Sequence, residues 1–241
     1  FKTMQEKIPV HVAIIPDGNR RFAKRLLQKP WKGHEWGLEK IKAVIGWCRK
    51  LGIKFLTLYT LSLENMSKRP RYELRYLYRL AQKEIRDIFA NPEHFIHKWK
   101  VRIRCFGCLE RLPVKLQRDI SKLHKITSNY SSFYLNLAIA YGGRQEIVSA
   151  CRKIAESVQK NILKPECISE AVFRQYLQTN GCPDPDLIIR TGGEKRISNF
   201  LLYQSSYAEL VFLDSYWPEL TEEEFLKAIE EFAMRERRFG A

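Results

Sequence analysis

Two stretches of this chain carry side chains whose types and spacing suit phosphate chemistry. One, RTGGEKRISNFLLYQSSYAEL, runs from Arg190 to Leu210 and sets Arg190, Glu194, Arg196, Ser198 and Glu209 around the pair Gly192–Gly193. Arginine offers a rigid fork of donors that matches phosphate oxygens. Glu209 lies in an otherwise apolar run, where a carboxylate needs a partner or a metal. Mg2+ usually takes one or two carboxylates together with phosphate oxygens and water. Asp17 and Glu209 are the candidate pair. Together these groups suit a diphosphate held with a divalent ion.

The other stretch, HVAIIPDGNRRFAKR, spans His11 to Arg25. An apolar strand ends in Asp17-Gly18-Asn19, and Arg20, Arg21 and Lys24 follow. Gly18 permits a tight turn with unusual φ. The N–H groups that open the next helix make an anion site. An Asx-type turn capping that helix is the structural alternative; the three cations favour function. A helix start and two further strand ends carry polar groups or glycines. Gly33-His34 offers an imidazole that either donates to a phosphate or packs structurally. Ser62-Leu63-Glu64-Asn65 supplies a hydroxyl, a carboxylate and an amide, and Arg69 and Arg71 flank Pro70 just beyond. At Tyr141-Gly142-Gly143-Arg144 the glycines read as the turn into a helix.

Positioning such groups requires a scaffold of buried strands. Apolar runs at His11–Ile15, Phe55–Leu61, Val101–Phe106, Phe133–Ala140, Leu187–Arg190 and Leu210–Leu213 are continuous more than alternating, as in strands covered on both faces. Helical spacing lies between them: Leu74, Leu77, Ala81, Ile85 and Ile88 form one stripe, and Leu116, Ile120, Leu123 and Ile126 another. A last helix opens at Thr221, a good N-cap, with Glu222–Glu224 in its first turn. This order predicts an α/β fold with a mostly parallel sheet flanked by helices, its active site at the carboxyl ends of the strands. The 241 residues, 45% hydrophobic, suit a single domain over 1–241.

The net charge of +15 favours an anionic partner: nucleic acid, a membrane surface or a phosphorylated substrate. Basic residues are spread over most helices, and no recognition-helix or RNP-like motif supports nucleic acid. No apolar run approaches a membrane span, and the first residues lack a signal-peptide profile. The cysteines at 48, 105, 108, 151, 167 and 182 read as free thiols of a reducing, cytoplasmic protein. Cys105-x-x-Cys108 has no second pair to complete a zinc site.

With these residues in view, the chain resembles the cis-prenyltransferases, the undecaprenyl and dehydrodolichyl diphosphate synthase family, from about His11 to Gly240. The family signature His-x-Ala-x-Ile-x-Asp-Gly-Asn-x-Arg-x-Ala reads HVAIIPDGNRRFA here. Arg-x-x-Gly-Glu-x-Arg-x-Ser-Asn-Phe reads RTGGEKRISNF, followed by YAEL and a Trp-Pro pair. The resemblance implies six mostly parallel strands, a homodimer or related dimer, and Mg2+-dependent prenyl chain transfer from an allylic prenyl diphosphate to isopentenyl diphosphate. It implies Asp17 at the diphosphates and Mg2+. Gly18, Asn19, Arg21 and His34 would hold or activate the allylic diphosphate, with Arg20, Phe22, Lys24 and Arg69 among the substrate contacts. Ser62 and Asn65 would lie near the reacting carbons, and Arg190, Arg196 and Ser198 on the homoallylic diphosphate. Glu209 would assist the metal or a dimer-shared site, and Arg237–Gly240 resembles the segment that reaches a neighbouring subunit. The chain would grow into an apolar tunnel, for which Leu74, Leu77, Ile85, Ile88 and Phe89 are candidates, most of them expected to be ordinary core. A long polyprenyl product implies peripheral membrane contact.

Three departures stand against the family pattern. Arg-x-x-Gly-His here begins with Pro30, so one phosphate-binding arginine is missing, and Lys29 or Lys32 substitutes at most in part. Phe-Ser-x-Glu-Asn-Trp-x-Arg-Pro reads LSLENMSKRP, with Leu61 and Met66 in place of aromatics and one residue inserted; whether Lys68 or Arg69 takes the arginine's place is open. Lys195 stands where a histidine is frequent in bacterial members. These changes raise an alternative: coupling of two allylic diphosphates, with dimethylallyl diphosphate added in a non-head-to-tail mode. A longer primer preference would explain them equally. A non-catalytic partner subunit is a third reading, against which the intact Asp-Gly-Asn stands.

Overall fold

The computed structural model describes residues 8–235. The strands are β1 (His11–Ile15), β2 (Phe55–Ser62), β3 (Val101–Phe106), β4 (Phe133–Tyr141), β5 (Leu187–Arg190) and β6 (Glu209–Phe212). They form one sheet in the order β3-β4-β2-β1-β5-β6. Every pairing is parallel, so the sheet is wholly rather than mostly parallel. The expected strands are all present; their ends differ from the sequence reading by a residue in β2, β4 and β6. All residues of β1 and β5 are buried, as continuous apolar runs require at the centre of a covered sheet.

The helices are α1 (Asn19–Arg25), α2 (Gly33–Lys50), α3 (Leu63–Lys68), α4 (Arg71–Ala90), α5 (Phe95–Lys98), α6 (Val114–Thr127), α7 (Gly143–Gln159), α8 (Glu170–Tyr176) and α9 (Glu222–Met234). On one face of the sheet, Val12, Ile14, Leu56, Leu58 and Ile189 join side chains of α2, α4, α6 and α9 in the larger core cluster. On the other, Ala13, Ile15, Tyr59 and Ile188 meet Phe200 and Leu201. This odd–even division is the pleat of a strand expressed as two cores. Thr221 caps α9 as its type predicts: its hydroxyl accepts from the Glu224 N–H at 3.1 Å, and the Glu224 carboxylate accepts from the Thr221 N–H at 2.9 Å.

The tunnel candidates divide. Ile85 and Ile88 are core, and Phe89 packs against it. Leu74 and Leu77 on the same helix remain partly exposed. The proposed C-terminal segment Arg237–Gly240 lies outside the described residues.

The order of strands creates the site. From β1 the chain crosses to β2 on one side, while β5, the other neighbour of β1, leads on to β6. Connections leaving β1 and β5 therefore diverge, and a crevice opens above their carboxyl ends. Asp17 follows β1 and Arg190 ends β5, so the two phosphate-type stretches, distant in sequence, meet there.

A two-sided anion site above the sheet

Above this crevice lies a cavity of ≈ 780 Å³ lined by residues from both stretches, among them Asp17, Arg20, Arg69, Arg190 and Ser198. Its shape depends on Gly18, held in a left-handed conformation at φ +96° with Tyr216 so close that a Cβ would lie 2.4 Å from Cδ1. Only glycine satisfies both conditions at low cost. The turn aims the Asp17 carboxylate into the cavity, where Oδ1 accepts from the Gly18 N–H at 2.6 Å.

On the β5 side, Arg190 is the centre. Its guanidinium is buried and donates from Nη2 to Asp17 Oδ2 at 2.9 Å and from Nη1 to Ser198 Oγ at 2.7 Å. Asp17 Oδ1 also lies 3.2 Å from Arg21 Nη2. Burial alone would push the Asp17 carboxyl up; the Arg190 hydrogen bond, the Gly18 N–H and the charges of Arg190 and Arg21 hold it below the usual carboxylate range. Asp17 is thus ionised. Arg196 stands more exposed, paired with Glu194 at 2.5 Å. Ser198 and Asn199 adopt left-handed φ of 50° and 64°. Asn199 holds that strained turn by donating to Glu64 Oε1 at 2.9 Å and accepting from the Arg144 N–H at 2.9 Å.

On the α1 side, Arg20, His34 and Arg69 line the cavity and converge on Glu73, which sits behind them with its side chain 1% exposed. Glu73 Oε1 lies 3.3 Å from His34 Nε2 and 3.7 Å from both Arg20 Nε and Arg69 Nε. The hydrogen bond with His34, against burial and with the charges of Arg69 and Arg20, holds the Glu73 carboxyl low. Burial lowers His34, and Arg69 and Arg20 add to this while Glu73 opposes it. The imidazole is therefore neutral near pH 7.

The structure decides several open points. Lys24, Asn19, Ser62 and Asn65 line the cavity with Asp17, Gly18, Arg20 and Arg21. Ser62 caps α3, its hydroxyl accepting from the Asn65 N–H at 3.0 Å. Arg69 lines the cavity, whereas Lys68 is exposed at the end of α3. Neither Lys29 nor Lys32 lines the cavity: Lys32 pairs with Glu35 at 3.3 Å and Lys29 sits over the Trp31 ring. The glycines at 142 and 143 are structural, since a Cβ on Gly143 would lie 2.8 Å from Leu202 Cγ.

Two of the candidate residues lie outside the cavity of this chain. Phe22 does not face the cavity; it turns to the other side of α1, edge-on to Trp36 in a separate groove. The helical period that aims Arg20, Arg21 and Lys24 inward rotates Phe22 away. Glu209 does not share a site with Asp17 in this chain. It begins β6, paired in register with Leu187 at the start of β5, so it lies at the amino end of the sheet and accepts from Arg235 at 2.6 Å. A parallel strand separates its two ends, whatever the sequence proximity of Glu209 to Ser198 suggests. Sequence reasoning in turn missed Tyr59, which lines the cavity, and Glu73; the spacing of Glu73 four residues after Arg69 at a helix start was the available signal.

Asp17 is accordingly the one carboxylate of the expected pair that this cavity contains. Among the described residues no cluster of three or more His, Cys, Asp or Glu could by itself hold a metal. That donor set fits Mg2+ carried largely by diphosphate oxygens and water, with Asp17 as a protein ligand.

Comparison with known proteins agrees with this geometry. A family model described as "Putative undecaprenyl diphosphate synthase" matches residues 15–240. The tritrans,polycis-undecaprenyl-diphosphate synthase (geranylgeranyl-diphosphate specific) of Methanopyrus kandleri is 48% identical over 99% of this chain and 87% of its own length. Its counterpart of the same name in Pyrococcus furiosus is 45% identical over 97% and 87%. Among solved structures, lavandulyl diphosphate synthase from Lavandula x intermedia, in complex with dimethylallyl diphosphate, superposes with a TM-score of 0.92 at 37% identity, covering 98% of this chain and all of that one. A probable undecaprenyl diphosphate synthase from Campylobacter jejuni superposes at 0.78 with 32% identity, covering 97% and 99%. Signature residues that are scattered along the sequence thus gather in one crevice of a shared fold, and the chain belongs to the undecaprenyl diphosphate synthase family of prenyltransferases.

Proposed function

We propose that this chain extends geranylgeranyl diphosphate with isopentenyl diphosphate to a cis-polyprenyl diphosphate. One observation carries the reading: two cationic clusters, Arg20–His34–Arg69 and Arg190–Arg196–Ser198, face one cavity with Asp17 between them. Two diphosphates, one per cluster, fit that arrangement. The choice of primer is supported by the names of the archaeal relatives.

In this reaction the allylic C–O bond breaks, and its electron pair leaves on the diphosphate. Arg20 and Arg69 face that growing negative charge, while His34, neutral, donates its one N–H to the Glu73 carboxylate and so braces that wall of the cavity. Arg190 and Arg196 hold isopentenyl diphosphate so that its double bond attacks the allylic carbon. The proton lost as the new double bond forms goes to a diphosphate oxygen. Asp17 fixes Arg190 and Arg21 in advance, so little reorganisation is needed when charge moves. Asp17 would hold Mg2+, which when bound neutralises the leaving diphosphate. Mg2+ dependence, a homodimer and peripheral membrane contact belong to the same proposal, supported by membership of the family.

Coupling of two allylic diphosphates is the second reading. It is favoured by the likeness to lavandulyl diphosphate synthase and by the cation lost at Pro30. A product assay with Mg2+, labelled isopentenyl diphosphate and a series of allylic primers, with and without dimethylallyl diphosphate, separates the two. Regular cis products with geranylgeranyl diphosphate as the best primer are expected. Non-head-to-tail linkages would establish the second reading, and no turnover with any primer would defeat both.

A further inference from the structure

Glu73 is the most buried carboxylate beside the cavity, yet it does not line it. It stands behind three groups that do, and these come from separate elements: Arg20 from α1, His34 from α2 and Arg69 from the turn after α3. All three face the same oxygen, Oε1, at 3.3 to 3.7 Å. Arg69 is itself mostly buried, and its Nη1 has no hydrogen-bond partner within the protein. Two guanidinium groups held this close repel or spread unless a negative charge stands between them, and the neutral imidazole needs an acceptor for its N–H. A buried carboxylate is costly unless paired, so the two requirements meet at one atom. The β5 side solves the same problem differently, with Asp17 facing the cavity and available to a metal.

We propose that Glu73 is a positioning residue: its carboxylate is the shared counter-charge that preorganises Arg20, His34 and Arg69 for the diphosphate of the allylic substrate. The buried Nη1 of Arg69, unpartnered within the protein, is then a donor whose hydrogen bond a phosphate oxygen would supply. This rests on the function proposed above for the same cavity. Because Glu73 lies on the first turn of α4, it also ties the placement of that helix to the affinity for one diphosphate and not the other.

The test is Glu73→Gln, which keeps size and an acceptor oxygen and removes the charge. The KM for the allylic diphosphate is expected to rise about 10- to 100-fold, with the KM for isopentenyl diphosphate within about twofold of wild type. The groups facing His34 are Glu73, Arg20 and Arg69, so loss of Glu73 leaves only the two cations. The His34 imidazole, followed by NMR on the protein alone, should then titrate at lower pH than in wild type. Glu73→Asp, which restores the charge, should recover part of the allylic affinity. An unchanged or tighter allylic KM, an equal rise in both KM values, or an unmoved His34 titration would each overturn the proposal. If Glu73→Gln does not fold, Glu73→Asp carries the test: a raised allylic KM alone supports the hub, and unaltered kinetics defeat it. A wild-type chain that condenses no primer would remove the proposed function, while the His34 titration would still judge the hub.

Discussion

The two histidines of the sequence motifs, His11 and His34, have opposite fates. His34 faces the cavity. His11 lies at the other end of β1, fully buried, with Nδ1 donating to the Pro183 carbonyl at 2.7 Å and Nε2 accepting from the Thr57 hydroxyl at 2.7 Å. Thr57 in turn accepts from Asn136 at 3.1 Å, so the network that crosses β1, β2 and β4 is satisfied only with a neutral imidazole. Burial lowers the His11 pKa to about 4 from an ordinary 6.5. Below pH 6.5 the unfolded chain binds a proton that the native protein excludes, so stability falls as pH drops from 6.5 towards 4. The loss expected from this group is about 3 kcal/mol across that window. Chemical denaturation at a series of pH values measures it, and His11→Gln should flatten the slope between pH 6.5 and 4. An identical slope in the variant would assign the acid sensitivity elsewhere.

At the level of elements, the placement of α1 against α2 decides whether the arginines reach the cavity. Gly33 and Gly37, one helical turn apart on α2, let the start of α1 approach its backbone. A Cβ on Gly33 would lie 1.9 Å from the Asn19 carbonyl oxygen, and one on Gly37 2.4 Å from Asn19 Oδ1 and 3.0 Å from Trp217 Cδ1. Trp217 locks the same junction by donating from Nε1 to the Gly37 carbonyl at 2.8 Å. Gly37→Ala should therefore push α1 outward and cost about 1–3 kcal/mol of stability. Because Arg20 and Arg21 move with α1, kcat/KM should fall by more than the folded fraction does. Thermal unfolding and steady-state kinetics on the same sample test this. A stable variant with full activity would show that the junction has slack the distances do not suggest.

For the molecule as a whole, charge and product chemistry pull in different directions. A net charge of +15 draws diphosphates to the cavity, whereas a long polyprenyl chain is apolar and leaves water-exposed sites slowly. No helix among the described residues is long and apolar enough to cross a membrane. Release of the product is accordingly expected to limit multiple turnovers. Adding nonionic detergent or phospholipid vesicles should raise the steady-state rate severalfold and leave a single-turnover measurement unchanged. Equal stimulation of both would place the effect on chemistry or folding instead.

Sequence by itself determined the parts of this protein that depend on local pattern. Continuous apolar runs marked the central strands β1 and β5 because burial on both faces removes the need for alternation, whereas the edge strand β3 showed itself by alternating Arg102 and Arg104 with buried apolar residues. Thr221 announced α9 because a hydroxyl followed by Glu224 satisfies free N–H groups within four residues. The Asp17-Gly18-Asn19 and Arg190–Ser198 signatures named the two poles of the cavity, since glycine and arginine at a strand end are local signs of a tight turn and an anion site. What tertiary structure alone decided are matters of direction and distance. Phe22 belongs to the same motif as Arg21, yet the helical period sends it to the opposite side. Glu209 is close to Ser198 in sequence, yet strand polarity carries it to the far end of the sheet. Glu73 gains its place only because three elements deliver two guanidinium groups and an imidazole to one buried oxygen, and no local pattern encodes where those elements meet.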